Sequence, residues 1–535
     1  MFHAVRHCAL GFVLVASLVP ASAFGQSAQG QPAGGAGASQ AGPVRRLSVE
    51  EAVRLALEQN LSLQVQRLQP QLQDLTIAQV KTAWTPGISS TISNASSTSP
   101  ISSFFSGAAD QLVNDRFGVS VQANQFLPWG ANYNVTWNNT RGKSNSVFDS
   151  PNPALSSNLS ASYTQPLLRN FKIDSTRQQL LISKKNREMT DVQLRQTVLA
   201  TVRNVKNAYW DLAYAVENLK VQQQSLDIAL ESLRNNKSRV TIGTMAPIDI
   251  IEAEAEVARN EESVIVAEAQ ISRAEDALRQ LVFDPKMSDF WATRFDLTDP
   301  PTFRVQEVDV DAAVKHALEK RTDLVNMRKS LEASDIDIRY FKNQALPDLN
   351  VQVGYGLAGQ GGTAYQFSDT FPPIPISVVE SGYPTVLSRM LSNDFHNWSF
   401  AVTVGYPIGR SSAEAGLARA KVSYSQSVLQ MRNMELSVAT QVREVVRTLN
   451  TNRKRVDATR ASRDLAQRKL EAEQKKFQAG MSTNFQIIQA QRDLAAARNA
   501  ELQAVLDYNR SLVDFETVQE APVNGGGIAL ASAAR

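Results

Sequence analysis

The sequence predicts an α+β membrane protein, in which long antiparallel coiled-coil helices are joined to amphipathic strands within an internal duplication. Three observations carry that reading. The apolar period switches between heptad and alternating spacing, the first half of the pattern recurs in the second at fixed offsets, and no apolar stretch after residue 23 reaches the roughly twenty residues of a membrane-spanning helix. If the chain crosses a bilayer, strands must do the crossing.

At the N-terminus, Arg6 with His3 and His7 precedes an apolar run from Cys8 to Val19 and then Ala21-Ser22-Ala23, the layout of a cleaved signal peptide over residues 1–23. That run is about a dozen residues, too short to span a bilayer as a helix. Cys8 is the single cysteine of the chain and falls inside this segment, so the exported protein has no thiol chemistry. Residues 24–46 are rich in Gly, Ala, Gln and Ser and read as a flexible linker; residues 521–535 read as a flexible tail. The 55 Lys and Arg and 52 Asp and Glu are interspersed along the helices, which argues against nucleic acid as the main partner.

The duplication appears next. Val49, Ala52, Val53, Ala56, Leu57, Glu58 and Leu63 recur as Val310, Ala313, Val314, Ala317, Leu318, Glu319 and Leu324 without a gap, and the same offset carries Pro86 onto Pro347. Each repeat, 47–282 and 310–520, is therefore expected to open with one helix of about 36 residues stopped by proline. A second offset pairs Gly243, Ile250, Ile251 and Ala253 with Gly480, Ile487, Ile488 and Ala490, a shared helical hairpin. The hairpins fall in 172–282 and 411–520, and residues 283–309 connect the repeats.

Heptad spacing from Val198 through Val205, Leu212, Leu219 and Leu226 to Val240 marks the long helix of the first hairpin; Tyr209 and Trp210 on it read as core. From about Thr176 to Val240 it would reach near 100 Å at 1.5 Å per residue. The opening helix, Leu47 to Trp84, and the return helix, Pro247 to Val282, are each about 55 Å by the same rise. Stacked end to end, they match the long one.

Two segments, 88–166 and 349–407, carry the period-2 alternation of strands. Phe117, Val119 and Val121 alternate with Ser120, Gln122 and Asn124, and Phe400, Val402 and Val404 with Ser399, Ala401 and Thr403. Short turns such as Leu127 to Ala131 contrast with long loops at Ser96 to Asp115, Arg141 to Ser157 and Gly359 to Asn397, the asymmetry of outer-membrane barrels. Helices flank each strand set on one side, so each set must hold an even number: two in the second repeat, and four in the first if the weakly alternating Ile88 to Ala95 is counted. Trp137, Tyr163, Trp398 and Tyr406 are candidate membrane-interface aromatics. So few strands cannot close alone, and open edges are not tolerated in hydrocarbon, so several copies must build one barrel.

The chain resembles the outer-membrane efflux protein family of TolC-like channels from about Leu47 to Glu520. The resemblance rests on Leu47-Ser48-Val49-Glu50-Glu51-Ala52, Gln165-Pro166-Leu167-Leu168, Ala208-Tyr209-Trp210-Asp211-Leu212 and the twin hairpins Gly243 to Ala253 and Gly480 to Ala490. It implies a homotrimer with a trimeric α-barrel and a shared transmembrane β-barrel, set in the outer-membrane lipid of a Gram-negative-type bacterium and extending into the periplasm. It also implies partners: a periplasmic adaptor (membrane fusion) protein and an inner-membrane pump. Family trimers usually have two strands per half, so the extra hairpin from Phe117 to Asn139 leaves twelve and eighteen barrel strands both open. Asp249 and Glu252 on the first hairpin, with Gln486 and Gln489 at the equivalent places on the second, are candidates for the periplasmic aperture; the two carboxylates equally suit a helix N-terminus behind Pro247. Ile242, Gly243, Thr244, Ala479, Gly480 and Met481 are candidate adaptor-contact turns.

Enzyme chemistry finds no support. Gly354-x-Gly356-x-x-Gly359 follows a strand, but no helix follows it to present amides to a phosphate. His316 and His396 are the only histidines after residue 23 and lack paired ligand spacing. No catalytic residue, cofactor or metal is expected. The function expected is that of an outer-membrane exit duct in a tripartite efflux or type I secretion system, conducting small molecules or polypeptides passively. The alternative is a periplasmic coiled-coil adaptor or scaffold.

Overall fold

A computed structural model describes residues 44–101, 111–146, 148–285, 290–369, 374–409 and 411–520. The signal peptide, the linker up to residue 43 and the tail lie outside the described residues. In chain order the elements are β1 (Val44–Leu47), α1 (Val49–Gln59), α2 (Leu61–Lys81), β2 (Gly87–Pro100), β3 (Gln111–Phe126), β4 (Asn132–Ser144), β5 (Ala154–Pro166), α3 (Ser175–Thr241), α4 (Ile248–Val282), β6 (Arg294–Leu297), α5 (Val310–Lys320), α6 (Thr322–Gln344), β7 (Asp348–Phe367), β8 (Pro375–Ser381), α7 (Tyr383–Leu391), β9 (Phe395–Gly405), α8 (Ser412–Gln478) and α9 (Asn484–Gln519). Strands and helices are segregated, as an α+β chain requires.

Two helices set the scale. α3 and α8 are each 67 residues, about 100 Å at 1.5 Å per residue. Their starts are fixed by side-chain caps: Asp174 accepts from the Arg177 amide and Ser411 from the Glu414 amide. α4 and α9, of 35 and 36 residues, return antiparallel along α3 and α8. Among the described residues no helix is long and apolar enough to cross a membrane.

The opening helices differ from the sequence expectation, because each is broken in two. Asn60 and Arg321 leave helical geometry, at ψ 119° and ψ 131°. The reason is a joint. The Asn60 side chain accepts from the Leu63 amide at 3.0 Å, capping α2, while its amide nitrogen donates to the Leu281 carbonyl at the end of α4, also at 3.0 Å. One residue thus serves both ends of a composite rod. In the second repeat Glu520, just beyond α9, accepts from both the amide and the hydroxyl of Thr322 at the start of α6.

The breaks free α1 and α5 to bury their apolar faces. Ala52, Val53, Leu55 and Ala56 join Val205, Tyr209, Leu212, Leu278, Val282 and Phe295 in one core; Ala313, Ala317, Val442, Leu449, Tyr508 and Phe515 share another. Tyr209 is fully buried, as its heptad position implied; its hydroxyl donates to the Leu47 carbonyl and accepts from the Asp299 amide. Tyr508 likewise donates to the Arg304 carbonyl and accepts from the Gln306 amide. Both tyrosines tie the connector to the helices. Residues 44–46, expected in the linker, instead belong to β1, which pairs in parallel with β6 of the connector because their backbone groups satisfy one another there.

Where α3 meets α6, Lys185, Glu188, Lys329 and Glu332 form a ring of ion pairs: Lys185 bonds Glu188 at 3.0 Å and Glu332 at 2.8 Å, and Lys329 bonds Glu188 at 2.7 Å. Hydrogen bonds from Lys329 to Glu188, and from Lys185 to Glu332, hold both carboxyls below the usual value of 4.5.

Apart from β1 and β6, the strands form one sheet in the order β2-β3-β4-β5-β7, with β8 and β9 both antiparallel to β7. β9 pairs with Asp348–Ala358 and β8 with Gly362–Phe367, so two short strands share one long partner. The loops expected at Ser96–Asp115, Arg141–Ser157 and Gly359–Asn397 are shorter than read, since strand pairing and the helix α7 occupy much of them. Serine, glycine and proline carry little apolar pattern, which hid those strand ends. Ile88–Ala95 is part of β2, making four strands in the first repeat.

Two measurements check the joints and the ring. Asn60→Ala is expected to lower stability by about 1–2 kcal/mol, with Asn60→Asp, which keeps the cap, intermediate in a denaturant titration. Depressed carboxylates stabilise fully above pH 4.5 and lose that contribution as pH falls through their folded values; the deficit of Lys329→Met against the natural chain should therefore shrink in thermal unfolding curves as pH drops from 7 to below 4.

Candidate functional site

The register of the sheet sorts its side chains into two faces. On one, Val119, Val121, Val135, Leu159, Ala161, Val351, Val353, Phe400 and Val402 align across neighbouring strands; on the other, Ser120, Gln122, Asn134, Thr136, Ser160, Ser162, Asn350 and Gln352 do. The first is apolar over a central band and turns polar beyond it, at Asn139, Arg141 and Lys143 of β4 and Ser157 of β5; the second is polar and nearly uncharged. Such a sheet suits hydrocarbon on one side and water on the other.

The four predicted aromatics belong to the apolar face or its end. Tyr163 stands in the row Tyr133-Tyr163-Val353-Phe400, Trp398 in the next beside Tyr355, and Trp137 in the third, opposite Leu159. Tyr406 lies just past β9. Trp137 falls mid-strand, where its ring nitrogen donates to Ser157 at 3.0 Å. Sequence reading passed over Trp129, whose indole donates to the Tyr163 hydroxyl at 3.3 Å, because it sits in a turn outside any alternation.

The glycines of Gly354-x-Gly356-x-x-Gly359 lie inside β7 and serve packing. A Cβ at Gly356 would meet only the movable end of the Asn397 side chain, at 2.1 Å, whereas one at Gly359 would meet the Val386 carbonyl at 2.1 Å, so glycine at 359 lets α7 approach. Val386 and Met390 of α7 are buried over Ser157 in consequence.

At the far end of the helices the two hairpin turns share one backbone design. Gly243, at φ +79°, donates to Val240 and Thr244 to Arg239, each at 2.9 Å; Gly480, at φ +75°, donates to Phe477 at 3.1 Å and Met481 to Lys476 at 2.8 Å. These are paired 5→2 and 6→1 bonds closing each helix C-terminus. Ile242 and Met481 are exposed beside the glycines, and Ala479 occupies the cap position of Ile242 in the second turn. Asp249 lies in the first turn of α4, with Glu252 exposed one turn on. Gln486 and Gln489 open α9; Gln486 donates its amide to Thr483, and Gln489 its side chain to Asp493 at 2.9 Å.

Contacts that sequence reading missed hold the two hairpins together near these turns. Asn236 donates to Asn484 at 2.9 Å in a buried contact, Arg492 grips Glu256 through two nitrogens, and the Arg239 guanidinium stacks 4.6 Å over the Phe477 ring. Each partner lies in the other repeat, so no local spacing announces the pair. Among the described residues no group of three or more His, Cys, Asp or Glu is placed to hold a metal ion.

A family model described as outer membrane efflux protein matches residues 52–282 and 313–518. Nodulation protein T of Rhizobium leguminosarum bv. trifolii is 21% identical over 315 residues, covering 58% of this chain and 61% of that protein's length. Among solved structures, CusC aligns with a TM-score of 0.62 at 14% identity, covering 88% of this chain and 91% of its own. The Campylobacter jejuni CmeC outer membrane channel aligns at 0.61 and 14%, covering 88% and 85%, and the open state of the Neisseria gonorrhoeae MtrE outer membrane channel at 0.59 and 16%, covering 88% of each.

A Cβ at Gly243 or Gly480 would meet no atom within 4 Å, so the left-handed backbone alone requires glycine there. Gly243→Ala and Gly480→Ala should each cost about 1 kcal/mol and Gly243→Asn less, read from unfolding midpoints.

Proposed function

The chain belongs to the outer membrane efflux protein family, and on that premise we propose that it is the exit duct of a tripartite efflux or type I secretion system, passively conducting small molecules or polypeptides outward. Family members are outer-membrane channels, not enzymes. The duct is a homotrimer whose helices line a tunnel through the periplasm and whose strands close one barrel in the outer membrane. One observation carries this reading: a single sheet with one apolar face continues directly into helices about 100 Å long. A periplasmic adaptor or scaffold would have no use for that face.

Six strands per copy, β2 to β5 with β7 and β9, favour eighteen barrel strands over twelve. Each repeat contributes one continuous and one jointed rod, consistent with two copies of an ancestral unit. The polar face lines the water-filled pore; Trp137, Tyr163, Trp398 and Tyr406 meet outer-membrane lipid. At the other end the turns Ile242–Thr244 and Ala479–Met481 dock a periplasmic adaptor, and an inner-membrane pump supplies the energy. Asp249 and Glu252, with Gln486 and Gln489 beside them, line the aperture and favour cations there.

Protein purified from outer membranes is expected to image as three-fold tapered rods well over 100 Å long and to conduct in planar bilayers with a cation preference that Asp249→Asn with Glu252→Gln reduces. Compact monomers without conductance would promote the scaffold instead.

A further inference from the structure

Alternation decides which medium each strand residue meets, so the polar face can be read for charge strand by strand. Among the described residues the six spanning strands place two charged side chains on that face, Arg116 of β3 and Asp348 of β7. They stand at opposite ends. Asp348 opens β7 beside the helices, where the Asn350 side chain donates to it at 3.0 Å. Arg116 lies ten residues before Phe126, the helix-side end of β3. At 3.3 Å per residue that is about 33 Å along the strand, and a tilt of about 40° sets it about 25 Å above the helices, the height of a barrel's apolar band.

The row through Arg116 differs from every other row of that face. Its register partners are Ala95 on β2 and Gly142 on β4, and the row continues to Ala154 on β5 and Gly362 on β7. One long cation thus stands among side chains no larger than a methyl group. A Cβ at Gly142 would meet no atom within 4 Å, so the space beside Arg116 is open. Arg116 is itself exposed, and among the described residues it takes part in no ion pair. Asp115, next in the chain, belongs to the opposite face, in register with Lys143.

We propose that Arg116 sets the charge preference of the outer mouth. One guanidinium from each copy projects into the water-filled lumen, concentrates anions there and eases the exit of solutes that carry carboxylate, sulfate or phosphate groups. A charge inside a passage with low-dielectric walls acts on everything that crosses its level, and rings of arginine or lysine favour anions. The guanidinium suits the task because it stays charged and meets oxyanions through two nitrogens at once. Arg141 and Lys143 lie near the same height on the outward face, where bulk water screens them from the lumen. Asp348 gives the helix end the opposite sign, so the preference belongs to the mouth alone. The inference rests on the trimeric duct and adds which residue discriminates, and for which class of solute.

Trimers in planar bilayers under a potassium chloride gradient test it through the reversal potential. Arg116→Gln is expected to shift that potential toward the potassium value and Arg116→Glu to shift it further, while Arg116→Lys keeps the potential of the natural chain. The shifts should grow as salt is lowered, because the Debye length rises from about 10 Å at 0.1 M to about 30 Å at 0.01 M. Citrate added on the strand side should reduce the current of the natural chain more than that of Arg116→Gln. Arg141→Gln, one row away but facing outward, should move the potential far less. Conducting trimers whose reversal potential is unmoved by Arg116→Gln and Arg116→Glu, or moved as much by Arg141→Gln, would overturn the assignment and leave the duct standing. A natural chain that runs as monomers without conductance would overturn the duct, and this assignment with it.

Discussion

A helix of about 100 Å cannot stand alone in water, because its apolar stripe must be covered along the whole length. Most of the molecule follows from that requirement. No single return helix is long enough, so α4 and α2 share the work against α3, and α9 and α6 against α8. A shared partner needs a joint, and a joint exposes two helix ends. Asn60 satisfies both in the first repeat, while Glu520 and Thr322 do so in the second. The same break turns α1 and α5 inward to form the cores, where Tyr209 and Tyr508 fix the connector by paired hydrogen bonds.

The sheet answers to a different solvent. Along the helices, polar residues cost nothing outside the seams, since water covers them. In the strands the division is by face, and a residue belongs to one medium or the other according to parity alone. That explains why the strand loops could hold serine and glycine freely while Val119, Val351 and Phe400 keep strict alternation. Gly359 of β7 serves the approach of α7 to that surface.

Much of this was legible in the residues. Heptads from Val198 to Val240 and alternation through Phe117–Asn124 report directly on period, and the similar stretches Val49–Leu63 and Val310–Leu324 each fall on a helix broken partway, at Asn60 and at Arg321. What escaped was long-range or patternless. Asn60 lies inside an unbroken apolar period, and only its tertiary partner Leu281 makes it a boundary. Thr98, Ser99 and Pro100 extend β2 through backbone pairing with Val113, Leu112 and Gln111, which composition conceals. At the candidate site, Gly243 and Gly480 announced the turns, because positive φ selects glycine. Glu256 and Arg492 did not, being far apart in sequence and ordinary in each local context.

The twin turns have one more implication. Their shape is held by main-chain bonds and by a glycine whose missing side chain borders open space. The neighbouring positions, Ile242 and Met481, are exposed and contribute nothing to that shape. On the docking proposed for these turns, selection on folding and selection on recognition act on different atoms, so that a lineage would exchange one docking partner for another by drift at these positions while the hairpins beneath stayed unchanged.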